Sequence, residues 1–225
     1  MKIAIITANL GHFDPPSYIV PQIPIENVEI DIHRFDDNNF PPRIKAMTPR
    51  LQARIPKMFG YDMVPGYDYY IWLDGSFSIL NEQTIQWYLS IIASKDIVFF
   101  KHPTRNNIKS EADFIRKKIE DKNEYLTSRY WGELIDDQLA ACNKPGYEDD
   151  LLLATCSFIY KNCDSVKTLL KEWWIHTSRY HIVDQLSIPF LLKTSNCKFM
   201  VIDEDIYHIP YVTYTRNQTA PYKTK

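Results

Sequence analysis

Short apolar segments with strand character alternate with helical patterns along this chain of 225 residues. The strand segments are rich in β-branched and aromatic residues, and turn clusters separate them from their neighbours. The segments between them show the apolar spacing and the end signals of helices. Because strands that alternate with helices favour a layered α/β fold, we expect a mixed, mostly parallel sheet flanked by helices. The predicted strands are Lys2–Thr7, Val28–His33, Tyr69–Leu73, Ile97–Phe100, Thr155–Tyr160 and Phe199–Ile202.

Helices are predicted between and after these strands. Thr48 followed by Pro49 is typical of a helix start, and the helix would run to about Phe59 with a kink or break at Pro56. Ser110 is the predicted cap of a helix that ends at Lys122, because acidic residues follow in its first turn. The other predicted helices are Gln83–Ile92, Leu134–Cys142, Ser165–Thr177 and Gln185–Leu192.

Composition excludes several classes of protein. No apolar run reaches the roughly 18–20 residues of a membrane span, and a net charge of −2 gives no general attraction to nucleic acid or anionic lipid. Only six glycines occur against fourteen prolines, and neither GxGxxG nor GxxxxGK[ST] is present. Ordinary Rossmann dehydrogenases and P-loop NTPases are thereby excluded. No repeat or linker divides the sequence, so we expect residues 1–225 to form a single domain, located in the cytoplasm because no signal peptide precedes it.

Asp74, Gly75 and Ser76 directly follow the most apolar of the predicted strands. Ligands of open α/β sheets bind beyond the carboxyl ends of the strands, so these side chains are candidates for a binding site. A carboxylate there can hold Mg²⁺ or Mn²⁺, and a glycine lets a ligand approach the backbone. The alternative is that Asp74-Gly75 only makes a turn. His208, after the last predicted strand, is a second possible metal ligand, although a single histidine is more often a packing or surface residue.

Basic residues precede the central strand. Arg54 and Lys57 lie three residues apart on one face of a predicted helix, and Arg50 lies four residues before Arg54. Arginine and lysine there can bind phosphate, or they can form an ordinary solvated basic face.

Polar residues also follow or precede other predicted elements. His102 and Arg105 come after a strand and are expected to bind a sugar hydroxyl or a phosphate of the donor, while Glu111 can be a first-turn helix acid. Asp184 opens a predicted helix, where it is either the helix cap or a pocket residue together with Gln185.

Three short segments carry a resemblance to a known family. They are Trp72-Leu73-Asp74-Gly75, His102-Pro103-Thr104-Arg105 and Asp184-Gln185-Leu186-Ser187. In this order they resemble the Trp-Leu-Asp-Gly, His-Pro-x-Arg and Asp-Gln-Leu-Ser motifs of a family of GT-A nucleotide-sugar glycosyltransferases, over about Lys2 to His208. The resemblance implies a GT-A-like, Rossmann-like fold. It also implies transfer of a hexose or deoxyhexose from a nucleotide-sugar, with UDP-sugar favoured, to a glycan or glycoprotein. The resemblance extends to a viral, capsid-glycosylating branch of the family, so a virus-encoded origin is one expectation.

The resemblance also implies a role for each matched position. Asp74 and Ser76 correspond to the two ends of a metal-binding Asp-x-Asp motif, and His208 to the histidine that completes the metal site. Serine in place of the second aspartate departs from the motif and is a weaker, neutral ligand. Mn²⁺ or Mg²⁺ is the expected cofactor. The resemblance further implies that Thr7, Ala8 and Asn9 contact the nucleoside and that Arg54 and Lys57 contact the diphosphate and the sugar. Asp184 and Gln185 would face the donor sugar and are the expected catalytic residues.

Two other functions remain open at this stage. A sugar-nucleotide binding module without catalysis is compatible with Ser76 in the motif. A metal-dependent hydrolase is the other, although the sequence lacks a clustered set of His and Asp ligands. For a transferase we expect retention of the anomeric configuration by analogy with retaining families. An inverting enzyme would need a general base, for which Asp184 or Glu111 is the candidate.

Overall fold

The computed structural model describes residues 1–215, which form a six-stranded sheet with helices packed on both faces. The strands are β1 (Lys2–Asn9), β2 (Glu29–Asp36), β3 (Tyr69–Asp74), β4 (Phe77–Ser78), β5 (Ile97–Lys101), β6 (Leu153–Lys161), β7 (Phe199–Ile202) and β8 (Thr213–Tyr214). The α-helices are α1 (Pro49–Gln52), α2 (Arg54–Met63), α3 (Thr84–Ile92), α4 (Ile108–Glu120), α5 (Glu124–Tyr130), α6 (Ile135–Cys142), α7 (Asp164–Arg179) and α8 (Ile188–Thr194), and Asp184–Leu186 is a 3-10 turn.

The order of strands across the large sheet is β2-β1-β3-β6-β5-β7, and β4 pairs with β8 in a separate two-stranded sheet. β1 is parallel to β2 and β3, and β5 is parallel to β7, whereas β6 is antiparallel to both of its neighbours. Five strands therefore run in one direction and β6 alone runs in the other. The mixed, mostly parallel sheet expected from the sequence is confirmed. The reversed direction of β6, which was not predicted, brings its amino end to the edge where its neighbours have their carboxyl ends.

Alternate side chains of each strand enter opposite hydrophobic clusters. Ile3 and Ile5 of β1 pack on the face covered by α3, whereas Ala4 and Ile6 pack on the face covered by α2, α4, α6, α7 and α8. This division follows from the two-residue period of a strand. Because both faces are covered, the strands read as nearly continuous apolar runs, and this is why their positions could be recognised in the sequence.

The start of two helices differs from the prediction. The predicted helix from Pro49 is two helices that meet at Ala53, and the expected kink at Pro56 is wrong. Pro56 lies in the first turn of α2, where a missing N–H leaves no intrahelical hydrogen bond unmade. The irregular backbone of α2 is at Phe59 instead. In α4 the cap is Asn107, not Ser110, and its side chain accepts a hydrogen bond from the backbone N–H of Ser110 at 2.7 Å.

Two other helical segments also differ. The predicted helix over 185–192 is divided into the 3-10 turn and α8, which has Pro189 in its first turn. Helix α5 was not predicted, because it buries none of its residues and so has no apolar stripe. Across residues 1–215 no helix combines the length and apolar character that a membrane span needs.

Candidate functional site

A pocket of about 290 Å³ opens at the edge of the sheet where β1 and β3 end and β6 begins. This is the position at which open α/β sheets bind ligands. Helices α1, α2 and α5 and the 3-10 turn close its sides. Nine of the residues considered as candidates from the sequence line this pocket, namely Ala8, Asn9, Arg50, Arg54, Asp74, Gly75, Ser76, Asp184 and Gln185.

Gly75 allows the ends of β1 and β3 to lie close together in this wall. A Cβ atom at Gly75 would lie 2.7 Å from the backbone oxygen of Ala8, closer than atoms in proteins approach. Ala8 is also the register partner of Asp74 in the parallel pairing of the two strands. A larger residue at position 75 would push the strand ends apart, so glycine keeps Asn9 and Asp74 on the same wall.

Asp74 presents a fixed carboxylate to the pocket. Its Oδ1 accepts a hydrogen bond from Nε1 of Trp72 at 2.6 Å and lies 3.5 Å from Nζ of Lys57. Trp72 can make this bond because residues two apart on a strand share a face. The Asp74 side chain is 27% exposed. The indole and the ammonium orient the carboxylate, which remains accessible to a ligand.

Both carboxylate oxygens of Asp184 are engaged by other side chains in the pocket wall. Its Oδ2 accepts from Nζ of Lys57 at 2.6 Å and lies 3.0 Å from Nε of Arg54, and its Oδ1 accepts from Oγ1 of Thr155 at 2.7 Å. Burial alone raises the pKa of Asp184, but the two cations outweigh it, so this pKa lies below its usual value. Asp184 is therefore an anion that anchors Arg54 and Lys57, an arrangement that favours a positioning role over proton transfer.

Two predicted ligand contacts, Lys57 and Thr7, lie under the pocket and do not line it. Lys57 is fully buried, with its ammonium 5.7 Å and 5.4 Å from the ring centroids of Trp72 and Trp173. Thr7 is buried within β1. The sequence pattern places residues at a strand end or on a helix face, but it does not show how deep their side chains lie.

His102 and Arg105 are not brought to the pocket. Nδ1 of His102 accepts the backbone N–H of Arg105 at 3.2 Å. The Arg105 side chain pairs with Glu111 and lies 4.1 Å from the ring centroid of Phe114. Burial and the charge of Arg105 lower the pKa of His102 to about 4, so this ring is neutral at physiological pH. These contacts stabilise their own loop after β5.

The described donors do not fit a metal centre built by the protein. His208 does not line the pocket, its Nδ1 lies 2.7 Å from Oδ2 of Asp205, and its side chain is 81% exposed. The pocket wall offers the carboxylates of Asp14 and Asp74 and the hydroxyl of Ser76, whereas the Asp184 carboxylate is already engaged by protein groups. Hard divalent cations take about six oxygen ligands, and residues 1–215 contain no group of three or more His, Cys, Asp or Glu that could hold a metal ion. The metal stays a prediction.

Several lining residues were not identified from the sequence, above all Asp14, Tyr125 and Arg129. Asp14 lies in the loop after β1, and burial followed by the charge of Asp74 raises its pKa. Tyr125 and Arg129 lie on α5. Their spacing of four residues puts them on one helix face, and this spacing was the sequence feature that could have identified them.

A buried histidine behind the pocket gives the protein a testable response to acid. His181 is almost fully buried, its ring centroid lies 5.5 Å from that of Tyr130, and its Nδ1 accepts the backbone N–H of Val183 at 2.8 Å. Burial and the charge of Arg50 lower its pKa to about 3. In the unfolded chain this histidine has an ordinary pKa of about 6.5 and is protonated below that pH, whereas in the folded chain it stays neutral down to about pH 3. The free energy of unfolding therefore falls as the pH is lowered from the first value to the second.

We therefore expect His181→Asn to reduce the pH dependence of stability. Between pH 7.5 and pH 5.5 the free energy of unfolding of the wild type should fall by about 1 kcal/mol more than that of the variant. The asparagine oxygen can still accept the Val183 N–H, so the fold is kept. Urea unfolding at the two pH values measures this difference. Equal decreases in the two proteins would contradict the assignment.

Comparisons with known proteins complete the description of the site. No family model matches the chain, and no curated protein matches it by sequence. Among solved structures, it is similar to a glycosyltransferase involved in glycosylation of the major capsid of PBCV-1, with 11% identity over 89% of this chain and 81% of that chain and a TM-score of 0.41. Mouse xyloside xylosyltransferase 1 has 9% identity over 90% and 86% and a TM-score of 0.48.

A third similar structure is that of the bifunctional glycosyltransferase WbbM, with 10% identity and a TM-score of 0.49. The match covers 89% of this chain but only 38% of WbbM. Likeness at this level does not determine an activity.

Proposed function

We propose that the protein transfers a sugar from a nucleotide-diphosphate sugar to a glycan or glycoprotein acceptor. The observation that carries the proposal is the fixed carboxylate of Asp74, which lies beside Gly75 at the carboxyl edge of the sheet in a pocket that also contains Arg54. The volume of the pocket, about 290 Å³, is close to the lower limit of the ~300–1,000 Å³ range of small-molecule sites. Two of the three motifs that carry the family resemblance, those at Asp74 and Asp184, supply lining residues of this pocket.

In the proposed complex the nucleoside lies against Ala8 and Asn9, the diphosphate near Arg54, and the sugar near Asp74 and Gln185. Gln185 suits the sugar side because its Nε2 donates to the backbone oxygen of Leu153 at 3.0 Å, which fixes the amide in the wall. A UDP-linked hexose or deoxyhexose is the donor that we favour.

The transfer breaks the bond between the anomeric carbon and a diphosphate oxygen and forms a bond from that carbon to an acceptor hydroxyl oxygen. The hydroxyl proton leaves with the departing diphosphate. The sugar carbon becomes cationic in a transition state of the oxocarbenium type, and the leaving group becomes more anionic. Carboxylates on the sugar side and guanidinium groups on the phosphate side stabilise these charges without rearranging.

Retention of the anomeric configuration is the outcome that we propose. The two carboxylates considered as bases from the sequence are both held by cations, Asp184 by Lys57 and Arg54, and Glu111 by Arg105. Both oxygens of Asp184 are engaged, and Glu111 does not line the pocket, so neither is placed to receive a proton from an acceptor. NMR of the first product formed would show the configuration directly.

A binding module without catalysis is the second candidate. The carboxylate of Asp184, whose two oxygens are engaged by Lys57, Arg54 and Thr155, and the neutral hydroxyl of Ser76 favour it, because both are poorly suited to accept a proton or to bind a metal ion. This module would bind the same nucleotide-sugars but would release no sugar from them.

Thermal unfolding with UDP, GDP, CMP and their sugar conjugates, each in Mn²⁺ or EDTA, tests the proposal when combined with an assay of donor hydrolysis. A ligand at about 100 times its Kd stabilises the fold by ~2.7 kcal/mol, and each kcal/mol raises the midpoint by about 2–4 °C in a chain of this size. We expect one nucleotide class to raise the midpoint and its sugar conjugate to be hydrolysed slowly. A shift without turnover supports the binding module. No shift with any nucleotide contradicts both, and release of phosphate or fatty acid from other esters would favour a hydrolase.

A further inference from the structure

Three arginines from three different helices meet in the pocket. They are Arg50 of α1, Arg54 of α2 and Arg129 of α5. Arg54 is paired with Asp184. Within residues 1–215, Arg50 and Arg129 have no carboxylate within 4 Å, although both side chains are half-buried. Two guanidinium groups are thus held in a pocket wall without an ion-pair partner.

Aromatic rings hold these two guanidinium groups in place. Arg50 donates to the hydroxyl of Tyr130 at 3.2 Å and lies 5.0 Å from the centroid of its ring. Arg129 lies 4.3 Å from the ring centroid of Tyr125, which also lines the pocket. Stacking on an aromatic face orients a guanidinium group but leaves its positive charge uncompensated.

The three like charges act on one another. Burial, followed by the charges of Arg50 and Arg54, lowers the pKa of Arg129 to about 10. The side chain is still charged at neutral pH, so the repulsion is present in the ligand-free protein. Asp14, a lining carboxylate that is attracted to Arg50 and Arg129, has a raised pKa because it is buried and close to Asp74. An anion with several charges would relieve the repulsion that these groups create.

We infer that Arg50, Arg54 and Arg129 form a site for a diphosphate group and hold it without a divalent cation. Arginine suits this task because its planar fork can donate two hydrogen bonds to one phosphate. Three guanidinium groups on separate helices can contact both phosphates from different sides. They supply the positive charge that a metal supplies elsewhere, in a pocket whose own donors do not fit a metal centre. The inference deepens the proposed function and rests on it for the identity of the diphosphate as that of the donor.

Calorimetric titration with inorganic pyrophosphate and with UDP, both in EDTA, tests the site. We expect both to bind the wild type, and Arg129→Gln and Arg50→Gln each to weaken pyrophosphate binding at least about tenfold, as the loss of a charged hydrogen-bond donor does. Arg179→Gln is the matched control. Arg179 also lies in the last turn of a helix and 5.2 Å from an aromatic ring centroid, that of Tyr180, but outside the pocket. Its replacement should leave the affinity unchanged.

A fourth variant reverses the sign of the effect. Asp14→Asn removes a negative charge that lines the pocket and is attracted to Arg50 and Arg129, so it should tighten pyrophosphate binding several-fold. Circular dichroism and thermal unfolding of every variant show that the fold is kept. An arginine variant that fails to fold is replaced by the corresponding lysine variant. Lysine keeps the positive charge but lacks the forked guanidinium group, so this variant should bind pyrophosphate more weakly than the wild type.

The outcomes separate this inference from the proposed function. Binding of pyrophosphate only when Mn²⁺ is present overturns the inference and leaves sugar transfer possible. An equal loss in Arg179→Gln and Arg129→Gln overturns it as well, since general charge would then explain the binding. Metal-free binding that depends on Arg129, in a protein that turns over no nucleotide-sugar, supports the site and contradicts the proposed function.

Discussion

Replacement of Asp74 by asparagine is expected to lower sugar transfer by at least about a hundredfold, the effect of removing one fixed charge at a reacting centre. Sugar transfer needs the negative charge of this residue whether the carboxylate faces a cationic sugar carbon or helps to hold a divalent cation. Asparagine has the same shape, and its Oδ1 can still accept the indole N–H of Trp72. Lys57 keeps its 2.6 Å bond to Asp184. The change therefore removes charge without removing the local structure.

The measurement is the rate of transfer or donor hydrolysis, together with the thermal midpoint. Asp203→Asn is the matched control, because Asp203 also follows a parallel strand at this edge of the sheet but is exposed and pairs with Lys101 outside the pocket. It should leave the rate within about twofold, as surface substitutions do. A rate of Asp74→Asn close to that of the wild type, with an unchanged midpoint, would show that this carboxylate is not part of the chemistry.

Replacement of Lys57 by methionine is expected to have the largest effect on stability. Lys57 is fully buried, and its ammonium neutralises Asp184 and lies 3.5 Å from Asp74. Loss of one partner of a buried ion pair costs about 3–5 kcal/mol, because the other charge is left without compensation. Arg54 and Thr155 still contact Asp184, so we expect ~3 kcal/mol, which corresponds to a fall of about 6–12 °C in the thermal midpoint.

Lys101→Met provides the contrast. Lys101 and Asp203 also form a lysine–aspartate pair, at 2.9 Å, but both side chains are well exposed. Surface pairs contribute about 0–1 kcal/mol, so this variant should unfold close to the wild type in urea. If Lys57→Met loses less than about 1 kcal/mol, then the ammonium does not hold the buried carboxylates. Recovery of stability in the double variant Lys57→Met with Asp184→Leu would confirm the coupling.

Much of the sheet could be predicted because burial on both faces leaves a simple apolar signal. The last parallel strand, Phe199–Ile202, has the predicted bounds, and Tyr69–Leu73 is extended by one residue only. The direction of β6 could not be predicted. An apolar run has the same pattern in either direction, and the direction depends on the path of the long segment between Lys101 and Leu153, which contains three helices.

The site was predicted as far as it follows from strand ends. Asp74 and Asn9 face the pocket because they terminate parallel strands of the same sheet. Arg129 was missed because α5 has no buried residue and hence no periodicity to place it. Lys57 was expected on the surface of the pocket, yet it is buried between two tryptophans. Burial of a lysine depends on partners distant in sequence, here Asp184, 127 residues away.

The position of β6 also affects how the protein is made on the ribosome. β3 and β5 are synthesised well before β6, yet each pairs with it and not with the other. Until residues 153–161 have emerged, β3 has an unpaired edge, and β5 has no partner on either side because β7 follows β6 in the chain. Unpaired strand edges of this kind attract other chains. Thr155 and Cys156 of β6 also line the pocket. The growing chain therefore completes its sheet and its pocket only late in translation, and chaperones have the most reason to bind it before then.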